Sequence, residues 1–413
     1  MNHLSLLTEP AEKTAVSSPL KKRNLLKIRI IKYLYQEGTK SIPELCMIAR
    51  VSSPTLKRLL DELEEEGLIV ELGLGESGGG RRPSIYGLNP DSRFILGIDI
   101  TRFELRLGLF NLSCQQVGEM LIIPEGLETG VDVIKVLKKN INELMKKNKI
   151  DKLKILGAGV AIPGLIDMKT GISYSYLNIG ITPISEHLGK EFGFPVFIEH
   201  DTRSMARGEL MFGLAKGKKN VLCLNLGAGI GLSMILNGKV YLGESGYAGE
   251  FGHINIDPNG KLCYCGKIGC LETVASGRTL RKKVSEDITN GVPTIINQLI
   301  ESDPSNISLN IILDAVMTGD QYANELLAAT GVHLGKGIAT LLHLFNPELI
   351  ILGGILSKAE NILLDPIQQT LNSFSIPRIR QDTTLRTSEL RENAGIMGTV
   401  ALVMDKVFEP SQS

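Results

Sequence analysis

Residues 253–272, HINIDPNGKLCYCGKIGCLE, hold three of the six cysteines of the chain, ten to seventeen positions after a histidine. Three is an odd number and the glycine-rich loop is short, so a disulfide framework does not suit the segment. Zinc takes four thiolate or imidazole donors in a tetrahedron, and His253, Cys263, Cys265 and Cys270 supply that number. Gly266 and Gly269 allow the loop to fold back so that the sulfurs converge. A closed set of four protein ligands leaves no position open for water, which makes this zinc structural. Cys46, Cys114 and Cys223 stand singly in apolar or strand-like contexts and read as buried free thiols. That usage points to a reducing, cytoplasmic compartment.

At 413 residues the chain is too long for one ordinary domain. Residues 1–20 are polar, carry Pro10 and Pro19 and show no periodicity, so a disordered tail is expected there. Residues 21–90 read differently. NLLKIRIIKYLYQEG has apolar residues at helical spacing, and SIPELCMIAR opens on a capping box of Ser41 and Glu44. SSPTLKRLLDELEEEGLI follows, with Ser53 as the expected N-cap and Leu56, Leu59, Leu60 and Leu63 on one stripe. Next come two short strands around GESGGGRRPS. Three short helices and a basic hairpin make a winged helix-turn-helix. Ser53, Thr55, Lys57 and Arg58 are then the candidates for contact with operator DNA, and Arg81 and Arg82 lie on the wing. The formal charge of the whole chain is zero, so any DNA binding is local. The opening residues lack the basic and long apolar regions of a secretory signal. No apolar run approaches the roughly 20 residues a membrane helix needs, so no membrane partner is expected.

From residue 91 strands alternate with helices, the pattern of an α/β fold. FILGIDI, FELRLGLFN and QQVGEMLII are closely spaced and suit an antiparallel meander. Asn237-Gly238 joins two apolar runs as a tight hairpin. The remaining length fits two lobes, roughly 91–200 and 201–390, with a C-terminal helix packing back on the first.

The stretches AIPGLID, LNIG, EHDTRSMARGE, NLGAGIG, GYAGEFGHI, CYCGKIGCLE and NPELIILGG together resemble the ROK family (repressors, open reading frames and sugar kinases). With GGGRRPSIYGLNP behind a helix-turn-helix, the chain is similar to its transcriptional-repressor branch. The resemblance implies a two-lobed actin-like, ribonuclease H-like sugar-kinase fold behind the α+β winged head. It also implies a sugar site of Gly164, His200, Asp201, Glu250, His253 and Glu272, suited to hydroxyls that need paired acceptors and donors. Asp201 matches the general base of the family's kinases, which usually have asparagine where His200 stands.

The kinases also carry an Asp-x-Gly-Gly-Thr turn for ATP phosphates, whereas this chain reads DITRF. Thr101 and Arg102 replace both glycines, and Ala228 stands where kinases commonly have threonine. The implied function is a regulator, a repressor of carbohydrate uptake or catabolism genes, and not an enzyme. A sugar or sugar phosphate would be its effector, and a homodimer or homotetramer its DNA-binding form. The alternative is an ATP-dependent sugar kinase that carries an added DNA-binding head.

Overall fold

The structure is a computed structural model and describes residues 18–75, 82–177 and 179–408. The head is built from α1 (Ser18–Glu37), β1 (Lys40–Ser41), α2 (Ile42–Ala49), α3 (Ser53–Glu65), β2 (Ile69–Leu74) and β3 (Ser84–Leu88). Helix α1 starts earlier than its periodicity indicates, so residues 18–20 of the expected tail are its first turn. Proline is tolerated there because the first N–H groups of a helix have no intrahelical partner. The rest of that tail lies outside the described residues.

Ser41 caps α2 as its spacing requires: its backbone N–H and hydroxyl donate to Glu44 Oε2 at 2.8 and 2.6 Å. The cap of α3 is Ser52 and not Ser53, with Ser52 Oγ 3.0 Å from Thr55 Oγ1. Leu56, Leu59, Leu60 and Leu63 are buried together with Ile30, Ile31 and Leu34 of α1 and Leu45 of α2. The acidic end of α3 is used inside the head. Lys27 of α1 reaches Glu62 at 2.9 Å and Glu66 at 2.6 Å, and Arg23 Nε donates to Glu62 at 2.8 Å. Strands β1, β3 and β2 form a small antiparallel sheet in that order.

The chain divides into two compact units. One contains the head, the strands through Ile162, residues Gly171–Glu199 and the chain from Thr399 onward. Its strands are β4 (Phe94–Ile100), β5 (Leu105–Asn111), β6 (Gln116–Ile123), β7 (Ile155–Ile162) and β8 (Val196–His200), in the order β8-β7-β4-β5-β6. The β4-β5-β6 meander is antiparallel as its spacing implied, and β7 joins parallel to β4. Every residue of β7 is buried, which explains its uninterrupted apolar run. Helices α4 (Val133–Lys147) and α5 (Ile184–Phe192) belong to the same unit. The head is anchored by Tyr35. Its ring lies 5.7 Å from that of Phe408, and the Cys114 thiol donates to its hydroxyl at 3.5 Å. Cys114 and Cys223 are buried as expected, whereas Cys46 is only half-buried, because α2 is a short helix with one covered face.

The second unit contains Pro163–Thr170 and His200–Gly398. Helix α6 (Asp201–Phe212) leads to β9 (Val221–Leu226), β10 (Ile230–Leu236) and β11 (Lys239–Tyr241). After the cysteine loop come α7 (Glu272–Ala275), α8 (Gly277–Thr289), α9 (Leu309–Met317) and α10 (Gln321–Phe345). Then come β12 (Leu349–Gly353), α11 (Asn361–Phe374), β13 (Thr384–Thr387) and α12 (Ala394–Phe408), whose residues from Thr399 onward belong to the first unit. The sheet order β11-β10-β9-β12-β13 repeats that of the first unit, with three antiparallel strands followed by two parallel ones. Asn237 and Gly238 turn β10 into β11 with φ of 53° and 75°, as a two-residue hairpin needs. The start of α12 lies directly on α6. A Cβ on Gly398 would sit 1.6 Å from the Ser204 carbonyl oxygen, and the Ser204 hydroxyl donates to the Gly395 carbonyl at 2.9 Å.

Candidate functional site

Three of the candidate sugar residues, Asp201, Glu250 and Glu272, are tied directly or through their neighbours to residues 230–232 of β10. Asp201 opens α6, and its Oδ1 accepts the Thr202 N–H at 2.6 Å and the Thr202 hydroxyl at 3.1 Å. Asn225, the neighbour of that carboxylate on β9, reaches Asp201 Oδ2 at 3.4 Å, and His200 Nδ1 lies 3.1 Å from Oδ1. Thr202 fits only because residue 231 is glycine: a Cβ there would stand 2.1 Å from the Thr202 hydroxyl.

Glu272 approaches the same strand end as the first residue of α7. It is buried, and its Oε2 accepts the Ile230 N–H at 3.2 Å. Gly229 and Gly252 leave room for it, since a Cβ on either would come within 3.0 Å of that oxygen. Its other oxygen, Oε1, is buried with no hydrogen-bond partner among the described residues. Such an acceptor costs on the order of 1–3 kcal/mol unless a donor meets it.

Glu250 is exposed and precedes the tight turn Phe251–His253. Gly249 and Gly252 seat that turn on β10, where Cβ atoms would lie 2.0 Å from the Leu232 carbonyl oxygen and 2.5 Å from that of Ile230. Asp201, Glu250 and Glu272 are thus tied to the same few residues of β10. Gly164, in the turn after β7, has φ of 99°, a region that favours glycine. That turn belongs to the same unit as the carboxylates.

The donor atoms of His253, Cys263, Cys265 and Cys270 all lie within 4.8 Å of one another. His253 Nδ1 is 3.6 Å from Cys263 Sγ, and Cys265 Sγ is 3.7 Å from Cys270 Sγ. Tetrahedral zinc bonds put neighbouring donors about 3.5–3.8 Å apart, so the set fits zinc. Gly266 and Gly269 have φ of 87° and 73°, as the fold-back of the loop demands. Burial, with Cys265 and Cys263 alongside, pushes the Cys270 thiol up to about 12. A divalent cation would reverse that resistance to ionisation.

The DITRF turn, within the first unit, is closed on itself. The N–H groups of Phe103 and Glu104 donate to the Thr101 hydroxyl oxygen at 3.3 and 3.0 Å, and the Thr101 N–H donates to the Glu104 carbonyl at 2.9 Å. Arg102 pairs with Glu128 at 3.5 Å and lies 5.7 Å from the Tyr176 ring centre, while the Tyr176 hydroxyl donates to Glu128 at 2.6 Å. Burial and that carboxylate push Tyr176 up to about 12. Neither Glu128 nor Tyr176 had a signal in the sequence.

On α3, Ser53 and Arg58 are exposed and Thr55 is half-buried. Lys57 is tethered, with its ammonium 3.0 Å from both the Tyr86 hydroxyl and Asp61. The Tyr86 hydroxyl in turn donates to Glu71 at 3.2 Å. Arg82 is exposed, and Arg81 lies outside the described residues. No helix among the described residues is long and apolar enough to cross a membrane.

Comparison with known proteins covers the same two regions. A profile described as ROK family matches residues 95–406, and one described as winged helix-turn-helix DNA-binding matches residues 23–70. The xylose repressor of Caldicellulosiruptor bescii is 28% identical over 392 residues, covering 94% of this chain and 97% of its own. A glucokinase of Halalkalibacterium halodurans is 30% identical over 310 residues, covering 74% of this chain and 93% of its own. Among solved structures, a ROK family transcriptional regulator described as a homologue of the Escherichia coli MLC protein superposes with a TM-score of 0.75. It is 29% identical, with 94% of this chain and 97% of that one covered.

Proposed function

The chain belongs to the ROK family, and from that premise we propose that it is a sugar-responsive, DNA-binding transcriptional regulator. In this reading it represses carbohydrate uptake or catabolism genes in the cytoplasm. The observation that carries the sugar site is the buried Oε1 of Glu272, which has no hydrogen-bond partner among the described residues, on a side chain held to Ile230 at the start of β10. Matches that include the head support the regulatory half, since the xylose repressor covers nearly the whole chain.

The head is assigned to residues 21–90 and the sugar-binding domain to 91–413. A free sugar or sugar phosphate is held by His200, Asp201, Glu250, His253 and Glu272, with Gly164 allowing backbone approach to the ring. Structural zinc on His253, Cys263, Cys265 and Cys270 supplies cohesion to the loop and does no chemistry. His253 lies three residues after Glu250, and Cys270 two before Glu272, so these ligands fix the positions of both carboxylates. A homodimer or homotetramer pairs the heads, and the ligand acts by favouring the form with the lower operator affinity.

Against the kinase alternative stands the closed DITRF turn. Phosphoryl transfer depends chiefly on positioning and on stabilising phosphate charge. Here the N–H groups of Thr101, Phe103 and Glu104 are spent within the turn, and the Arg102 charge is answered by Glu128. Asp201 then serves as a ligand for a sugar hydroxyl and not as a base.

Asp201→Asn is expected to weaken sugar binding by about 1–3 kcal/mol, the scale of a lost charge-assisted hydrogen bond, with operator affinity preserved. Calorimetry with sugar and anisotropy with operator DNA check this, and equal loss of both would assign Asp201 to the fold. Arg58→Ala is expected to cost about 1–3 kcal/mol on the operator and to relax base preference at one position. Replacing Arg81 and Arg82 should weaken binding to all sequences and lower the salt dependence by about one to two ion equivalents. Titrations at several salt concentrations separate the two effects.

A further inference from the structure

Both ring nitrogens of His253 are engaged. Nδ1 faces Cys263 Sγ at 3.6 Å, and Nε2 lies 3.2 Å from the Tyr264 hydroxyl oxygen. The two rings meet edge to face, 5.2 Å apart and inclined at 79°. Tyr264 sits between two of the cysteines, is 63% exposed, and has the Arg278 guanidinium 5.1 Å from its ring centre. With a metal on Nδ1, the ring proton is confined to Nε2 and donates to the phenol oxygen. The atom that His253 would offer to a sugar hydroxyl is therefore already partnered, by a side chain exposed enough to be displaced.

We infer that Tyr264 is a specificity-determining residue, a stand-in partner that lets His253 accept ligands with or without a hydroxyl at the facing ring position. The inference rests on the sugar site proposed above. A site built to hydrogen-bond a hydroxyl rejects the analogue lacking it, because the protein group is then left unpaired. Here a ligand bearing the hydroxyl exchanges one hydrogen bond for another as it displaces Tyr264. A ligand lacking it, or substituted there, leaves Tyr264 in place, and Nε2–H is never orphaned. The effector class is then a set of sugars that differ at one ring position. The backbone of this histidine is also held in the loop, with Lys267 donating to its carbonyl at 2.9 Å.

The test compares zinc-loaded, full-length wild type with Tyr264→Phe, and with Tyr264→Leu as a second variant. Calorimetry uses D-glucose, D-xylose and the monodeoxy analogues of each, and zinc content is measured in parallel. The wild type is expected to bind one monodeoxy analogue within about threefold of its parent. In both variants the penalty at that one position should rise about tenfold, on the scale of an unpaired polar group, with zinc retained. Equal penalties at every position in all three proteins, or zinc loss in the phenylalanine variant, would overturn the inference. Failure of the wild type to bind either parent sugar would instead remove the sugar-site reading beneath it.

Discussion

Cys265→Ser is expected to release zinc and abolish the response to sugar while operator binding survives. Structural zinc sites contribute on the order of 10–16 kcal/mol to the folding of small zinc modules at neutral pH, so one lost thiolate is a large perturbation. The loop between His253 and Cys270 is otherwise held by backbone hydrogen bonds, among them Ile256 N–H to the Gly269 carbonyl at 2.9 Å and Cys263 N–H to the Lys267 carbonyl at 2.7 Å. Without the metal, the loop between Glu250 and Glu272 loses its four-way link, and the two carboxylates keep only their contacts with β10. Metal analysis should fall from about one zinc per chain to near none, and the sugar-induced rise in melting temperature should vanish. The head lies in the other compact unit, so operator affinity should change by less than about threefold. A metal-free protein that binds sugar with unchanged affinity would contradict the role given to the cluster.

Lys27→Met is expected to have the converse effect. The Lys27 side chain is 6% exposed and joins α1 to the end of α3 through Glu62 and Glu66. Removing one partner of a buried pair leaves uncompensated charge and costs about 3–5 kcal/mol. Arg23 still answers Glu62, which places the loss near the lower end, but Glu66 keeps no such partner in α1. A head built on three helices and a small sheet has little stability to spare. Operator binding should therefore fall sharply, while sugar binding stays within about twofold. Differential scanning calorimetry should show an early transition absent from the wild type.

The head was largely legible because its signals are local. A capping box and a leucine stripe each fall within one helix, and each is where its spacing put it; the two wing strands pair, and the glycine-rich tip between them lies outside the described residues. The tether of Lys57 was not legible, since Tyr86 lies on the wing strand and no spacing rule links it to α3. The shared strand order of the two sheets is likewise invisible in the residues, because strand order fixes backbone pairing and not side-chain identity. Loss of the glycines in DITRF could be read directly. That Thr101 consumes the neighbouring N–H groups, and that Glu128 and Tyr176 enclose Arg102, required the fold. The cluster at His253 was legible as chemistry from residue types alone. The partnerless oxygen of Glu272 depends on which atoms surround it, which only packing decides.

If sugar is a signal to this protein and not its substrate, binding of DNA responds to sugar and ATP does not turn over. One titration tests it most directly: operator binding by anisotropy, with magnesium and ATP present, as the sugar that raises the melting temperature is added, and ADP release followed in the same samples. Operator affinity is expected to fall by about tenfold or more, a coupling within the usual 1–3 kcal/mol, while ADP release stays at background. Turnover of about 1 s⁻¹ or more, within the ordinary kinase range, with operator affinity unchanged by sugar, would contradict it.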